Sequence, residues 1–247
     1  MNNPLRGAGV RIVVPISNLF HWELKPFFYF FDKFWDANLT VTVLSSRDPN
    51  YQIDNLEYMQ VPGGICQEGD WYWGWFSNGI KWFLGQIPEP YVIIMMADHW
   101  LRTPVNTDTI ATAVEYASAN EDIFRISLYG GTVANLECTE TYKGIGFWEC
   151  ASGRPDCFLT MSLVPALWNR KLLLEMLPDN WNPWEFESAG ATSIRDGHPH
   201  FRCAMAIPPP IDYVHAARTR SRAIHLSIMG DLGEEVKKWI PHDFQIS

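Results

Sequence analysis

The chain has no run of 18 or more apolar residues, so no segment reads as a membrane-spanning helix. Its most aromatic stretch, residues 26–35, is too short and is broken by Asp32 and Lys33. A secretory signal pattern is absent from the amino terminus. Positive charge is scarce: 19 Lys and Arg stand against 28 Asp and Glu, a net charge of −9. That balance argues against a broadly basic nucleic-acid surface, while leaving room for a local basic strip. Cysteine is also sparse. Cys66, Cys138, Cys150, Cys157 and Cys203 form no CxxC pair and are odd in number, which fits reduced thiols and a cytoplasmic location. There is no phosphate-cradling glycine loop, no zinc-ligand spacing and no nucleophile elbow. Without a glycine fingerprint after the first strand, a nucleotide-dependent oxidoreductase is disfavoured.

What is present is a globular composition, 47% hydrophobic and 19% charged, which excludes wholesale disorder. A length of 247 residues suffices for one large α/β domain with a substantial core, or two small ones. Twelve tryptophans are a heavy load; most belong to the core, and the remainder suit a cleft for planar or sugar ligands.

Residues 10–17 (VRIVVPIS) predict a first strand, 39–44 (LTVTVL) a second and 56–61 a short third. A helix begins near Pro26 and carries the phenylalanines that follow. Residues 70–86 read as a helix with Trp71, Trp75 and Trp82 on one face. The run 91–96 (YVIIMM) is uninterruptedly apolar and stops at Asp98, as a strand buried on both faces does. Residues 107–119 predict a helix and 124–128 a strand. Alternating strands and helices imply a mostly parallel sheet with helices on both faces and a single domain. Further on, 130–154 are either hairpins or a mobile flap, 158–164 a candidate strand and 169–177 a short helix. Residues 213–229 are either two strands or an arm, and 233–240 a closing helix. No repeat or low-complexity tract appears.

Three constellations carry chemistry. The first is Asp98–His99–Trp100, beyond the carboxyl end of a central strand, where open α/β sheets collect ligands. A carboxylate there suits Mg²⁺ or Mn²⁺ and, through it, a diphosphate. The second is the segment NPWEFE, residues 182–187. An extended backbone points Glu185 and Glu187 to one side, whereas a helical first turn makes them diverge; either acid suits a general base or a helix cap. The third is Arg218, Arg220 and Arg222, whose period-two spacing suits phosphate or a charged strand edge. Nearby His215 and His225 are weaker candidates for a metal.

In order along residues 10–190, YVIIMMADHWLRTPVN, SLVPALWNRKLLLEML and NPWEFES resemble blocks of small nucleotide-sugar glycosyltransferases with the GT-A fold, of bacterial or phage type. This resemblance implies a hexosyl- or pentosyltransferase with a nucleotide-sugar half at about 1–106, an acceptor half at about 107–207 and a C-terminal arm and helix at about 208–247. By the same resemblance Asp98 holds the metal or sugar diphosphate; the second metal ligand, taken from the residues alone, is His225. Pro15, Ser17 and Asn18 bound the nucleoside, Ser45 and Arg47 extend that pocket, and Arg218, Arg220 and Arg222 are an alternative phosphate clamp. Trp100, Trp168, Asn169 and Trp184 fall on the acceptor side, and Glu185 or Glu187 is the base of an inverting reaction. The family motif carries two or three carboxylates; here Ala97 and His99 flank one aspartate. A glycan is the first acceptor implied. The alternatives are a hydroxymethylated DNA base, and a non-catalytic carbohydrate-binding protein on the same fold.

Overall fold

The structure, a computed structural model, describes residues 4–5, 7–36, 39–63, 65, 75–130, 138–151, 161–198, 200–215 and 229–241. The first strands are β1 (Val10–Pro15), β2 (Val41–Ser45), β3 (Leu56–Gln60) and β4 (Tyr91–Ile94). They pair in parallel in the order β3-β2-β1-β4. Alternate residues of β1 serve two separate cores: Ile12 and Val14 face one, Val13 the other. That two-sided burial is why β1, β2 and β4 are rich in β-branched residues, whereas the edge strand β3 is half-buried.

Two helices pack on the first face. Helix α1 (Leu24–Phe34) buries Phe27, Phe28, Phe30 and Phe31, a stripe wide enough to cover the sheet. Pro26 sits in its first turn, where no intrahelical N–H is needed. Helix α3 (Thr107–Ala119) starts where the Asn106 side chain accepts the Thr109 N–H at 3.1 Å, and it buries Ile110, Ala113 and Ala117. The opposite face is covered by α2 (Trp75–Gln86), α4 (Arg170–Met176) and α5 (Pro183–Gly197), which pack around Phe76, Phe83, Leu173 and Phe186.

Beyond β4 the sheet continues through β9 (Ala166–Asn169), β6 (Ile123–Ser127), β10 (Arg202–Ile207), β8 (Ile145–Ala151) and β7 (Glu140–Tyr142). Antiparallel pairing flanks β9 and β8, so the nine-stranded sheet is mixed but mostly parallel. A second, two-stranded ribbon joins β5 (His99–Leu101) to β11 (Tyr213–His215), with His99 opposite His215. Helix α6 (Asp231–Lys237) closes the described chain, its Val236 packed in the α1-side core. Among the described residues no helix is long and apolar enough to cross a membrane.

Several expectations shift. Of the strand expected over 158–164, residues 158–160 lie outside the described residues and 161–164 are not strand; the next strand is β9, from Ala166. Strand β10 was not foreseen, and neither was the β5–β11 ribbon. Residues 138–151 form a hairpin, so the flap alternative does not apply there. Segment 183–187 is helical, so Glu185 and Glu187 diverge.

Candidate active site

Sheet order turns at β1, which lies between β2 and β4, and a cavity of about 550 Å³ opens beyond the carboxyl ends of β1 and β4. A crevice at such a switch point is where open α/β sheets bind ligands. Pro15, Ile16 and Ser17 form the wall leaving β1, and Met96 to His99 the wall leaving β4. Leu163 and Val164 come from the loop before β9, Trp184 and Glu187 from α5, and Tyr213 and His215 from β11.

Ser17 starts a 3₁₀ helix, Asn18–Glu23, by accepting the Leu19 N–H on its Oγ at 3.3 Å. Residues three apart eclipse in a 3₁₀ helix, so Phe20 and Glu23 share the face that lines the cavity. Behind them, Asn18 Oδ1 accepts from the Ser45 hydroxyl at 3.0 Å and the Ser46 hydroxyl at 3.1 Å. Ser45 has thereby spent its proton, so His21 Nε2, 2.8 Å away, donates to it. Burial lowers the His21 pKa, against a smaller opposing pull from Asp48. This network ties the ends of β1 and β2 together.

Asp98 lies where the ribbon leaves β4, and the ribbon's register brings His215 to it, Nε2 to Oδ2 at 3.0 Å. Burial alone pushes the Asp98 carboxyl up, but its hydrogen bond with His215 and the neighbouring His99 hold it below the ordinary range. The same hydrogen bond raises His215 against the cost of burial. His99 is fully enclosed, and burial drives it down to about 4 despite Asp98. It is therefore neutral at pH 7, and its Nδ1 accepts the Met96 N–H at 3.2 Å. Ligand atoms of Asp98, His99 and His215 lie within 4.8 Å of one another; with His99 Nδ1 taken by the Met96 N–H, Asp98 and His215 are the pair that suits a divalent cation.

Across the cavity, Asn182 caps α5: its side chain accepts the Glu185 N–H while Glu185 Oε2 accepts the Asn182 N–H, each at 2.9 Å. Glu185 is thus spent on the helix start. Glu187, two residues on, lines the cavity, and its Oε1 accepts the Leu163 N–H at 2.7 Å. Trp184 stands on the rim, 56% exposed.

Of the residues singled out from sequence, the cavity gathers Pro15, Ser17, Asp98, His99, Trp184, Glu187 and His215. Asn18 and Ser45 brace its wall, while Arg47 is exposed and does not line it. The acceptor-side placement of three residues is corrected. Trp100 is fully buried against Phe30, and Trp168 is fully buried against Phe124 and Phe186. Asn169 caps α4 and pairs with Tyr91, at the end of the sheet away from the cavity. Arg218, Arg220, Arg222 and His225 lie outside the described residues. His215, the other histidine named from the sequence, is brought to Asp98, and Glu23 and Tyr213 are wall residues that the sequence did not reveal.

No protein-family model matches this chain, and no curated protein is significantly similar to it. Solved structures are similar. TarS 1–349 of S. aureus aligns with a TM-score of 0.50 and 15% identity over 89% of this chain, which spans 64% of that one. The same TarS fragment in complex with UDP-GlcNAc gives 0.50 and 13%, covering 96% of this chain and 73% of that one. Glucosyl-3-phosphoglycerate synthase of Mycobacterium tuberculosis, in complex with Mn²⁺, UDP-glucose and phosphoglyceric acid, gives 0.50 and 15%, covering 96% and 80%. The chain has the GT-A glycosyltransferase fold.

Proposed function

We propose that this protein transfers a hexosyl or pentosyl group from a nucleotide-diphosphate sugar to an acceptor hydroxyl, with inversion at the anomeric carbon. The observation that carries this reading is the convergence of Asp98, His215 and Glu187 on one cavity at the β1–β4 switch point. Support comes from the fold shared with TarS, whose structure holds UDP-GlcNAc, and with a synthase whose structure holds UDP-glucose and Mn²⁺.

In this reading Pro15 and Ser17 wall the nucleoside, braced by Asn18 and Ser45. Glu187 is the base. Its Oε1 is held by the Leu163 N–H, and Oε2 faces no hydrogen-bond partner among the described residues. Oε2 takes the proton of the acceptor hydroxyl as that oxygen bonds to the anomeric carbon. The bond from that carbon to the diphosphate oxygen breaks, and the nucleoside diphosphate leaves with the electron pair.

Charge favours a cation in the site. Glu23, Asp98 and Glu187 line the cavity, and among the described residues no Lys or Arg does, so a bare diphosphate meets three acids. Asp98 Oδ2 and His215 Nε2 would hold Mg²⁺ or Mn²⁺, which when bound supplies positive charge to the diphosphate. His99, with Nδ1 engaged and its remaining proton on Nε2, stands beside the pair rather than joining it. Trp184 offers an exposed ring at the rim for an acceptor glycan. Residues 1–106 then contribute the nucleotide side and 107–207 the acceptor side, with His215 reaching in from the C-terminal arm.

The test is release of nucleoside phosphate from a panel of UDP-, GDP-, CMP- and dTDP-sugars with Mn²⁺ and candidate glycans. Turnover of one donor that E187Q loses supports the proposal. Binding of glycans without turnover of any donor would favour a carbohydrate-binding protein instead.

A further inference from the structure

We infer that Arg125 is a positioning residue for the transfer: it clamps the loop whose backbone holds Glu187. The inference rests on the proposed reading of Glu187 as the base. Arg125 is a charged residue inside a strand, IFRIS, that is buried throughout. A register irregularity between Arg202 and Cys203 on the neighbouring strand puts Cys203 opposite Arg125, and Trp168 pairs with it from the other side. Side chains paired across a sheet share a face, and Cys203 and Trp168 belong to the core beneath α5. The guanidinium is therefore carried under the cavity floor, 5.0 Å from the Trp168 ring and fully buried.

From there its Nη2 donates to Ser162 O at 2.9 Å and Val164 O at 3.3 Å. Those two carbonyls bracket Leu163, whose N–H is given to Glu187 Oε1 at 2.7 Å; the Ser162 hydroxyl lies 3.4 Å from the same oxygen. A second path runs through packing: Trp168 contacts Phe186, the residue before Glu187, at 5.7 Å between ring centroids. One buried cation thus orients both the loop that binds the carboxylate and the helix turn that carries it. Arg125 does not line the cavity, so it acts on Glu187 and not on the donor. Its own pKa is lowered to about 10 by burial, opposed in part by Glu187, so it keeps its charge at neutral pH.

Wild type, R125K, R125M, E187Q and R125M/E187Q are compared for turnover of UDP-glucose, UDP-GlcNAc and GDP-mannose with Mn²⁺. R125M is expected to lower kcat at least tenfold with donor KM within twofold. R125K should recover part of that loss, keeping the charge without the planar fork. R125M/E187Q should be no slower than E187Q, because both changes disable one device. Full kcat in R125M, or losses that multiply in the double variant, would overturn the inference. If wild type turns over neither these nor any other donor of the UDP-, GDP-, CMP- and dTDP-sugar panel, the transferase reading fails on its own. Positioning is then read from urea unfolding of the same four-member cycle: non-additive midpoints support it and additive ones overturn it. Should R125M not fold, R125K completes both cycles in its place.

Discussion

Two glutamates two residues apart should behave as different molecules. At 3.6 residues per turn they are separated by about 200° around α5, so the capping box claims Glu185 while Glu187 faces the cavity. E185A removes an acceptor from the Asn182 N–H and should cost about 0.5–1 kcal/mol, the lower range for an exposed cap. For a chain of this size that lowers Tm by about 1–4 °C. Donor turnover should stay within twofold. E187Q keeps the shape of the side chain and weakens one bond to the Leu163 N–H, a change of about 1 kcal/mol. It removes the base, however, and general-base catalysis contributes roughly 10²–10⁴-fold. That factor is about 2.7–5.5 kcal/mol of barrier. Thermal denaturation and nucleoside diphosphate release, measured on the same preparations, separate the two effects. Loss of turnover in E185A with full turnover in E187Q would refute the assignment.

The tryptophans should divide in the same way. W168A empties a fully buried site and should cost about 3–5 kcal/mol in urea unfolding; W184A, on an exposed rim, should stay within about 0.5 kcal/mol while raising acceptor KM. A Cβ on Gly130 would overlap the Pro209 ring, in the segment leading to β11 and His215. G130A should therefore destabilise by about 1–3 kcal/mol and weaken Mn²⁺ binding, which calorimetry reads. Asp122 has a depressed pKa because Arg202 hydrogen-bonds to its carboxylate, burial opposing. Its stabilisation is fully present above the unfolded value of about 3.9 and is lost as pH falls through the lower folded value. D122N should be less stable than wild type at pH 7, and the gap should close as pH falls toward 2; a gap that is constant with pH would contradict this.

How far the sequence spoke depends on range. Strands β1, β2 and β4 were legible because burial on both faces leaves runs rich in β-branched and apolar residues, and α3 was legible as a helix over the residues it occupies. Asp98 was legible as the polar stop of such a run. His215 was legible only as a weak metal candidate, and its place beside Asp98 was not, because three-residue strands pair it with His99 across more than 110 positions of chain and no local pattern encodes that ladder. The choice between Glu185 and Glu187 waited on helical phase, which the sequence left open. Trp168 and Trp184 look alike as letters; only packing against Phe124, Phe186 and Arg125 sets the first inside. Arg125 itself gave no signal, since its role depends on which carbonyls a register irregularity brings near.

The most direct measurement is calorimetric titration of UDP-glucose, UDP-GlcNAc and GDP-mannose into wild type, D98N and H215A, each with and without Mn²⁺. Three acids without a lining Lys or Arg among the described residues predict binding of one donor that requires Mn²⁺. That binding should weaken at least tenfold in both variants, about 1.4 kcal/mol. Donor binding of equal strength without metal, or unaltered in D98N and H215A, would contradict the site built around Asp98 and His215.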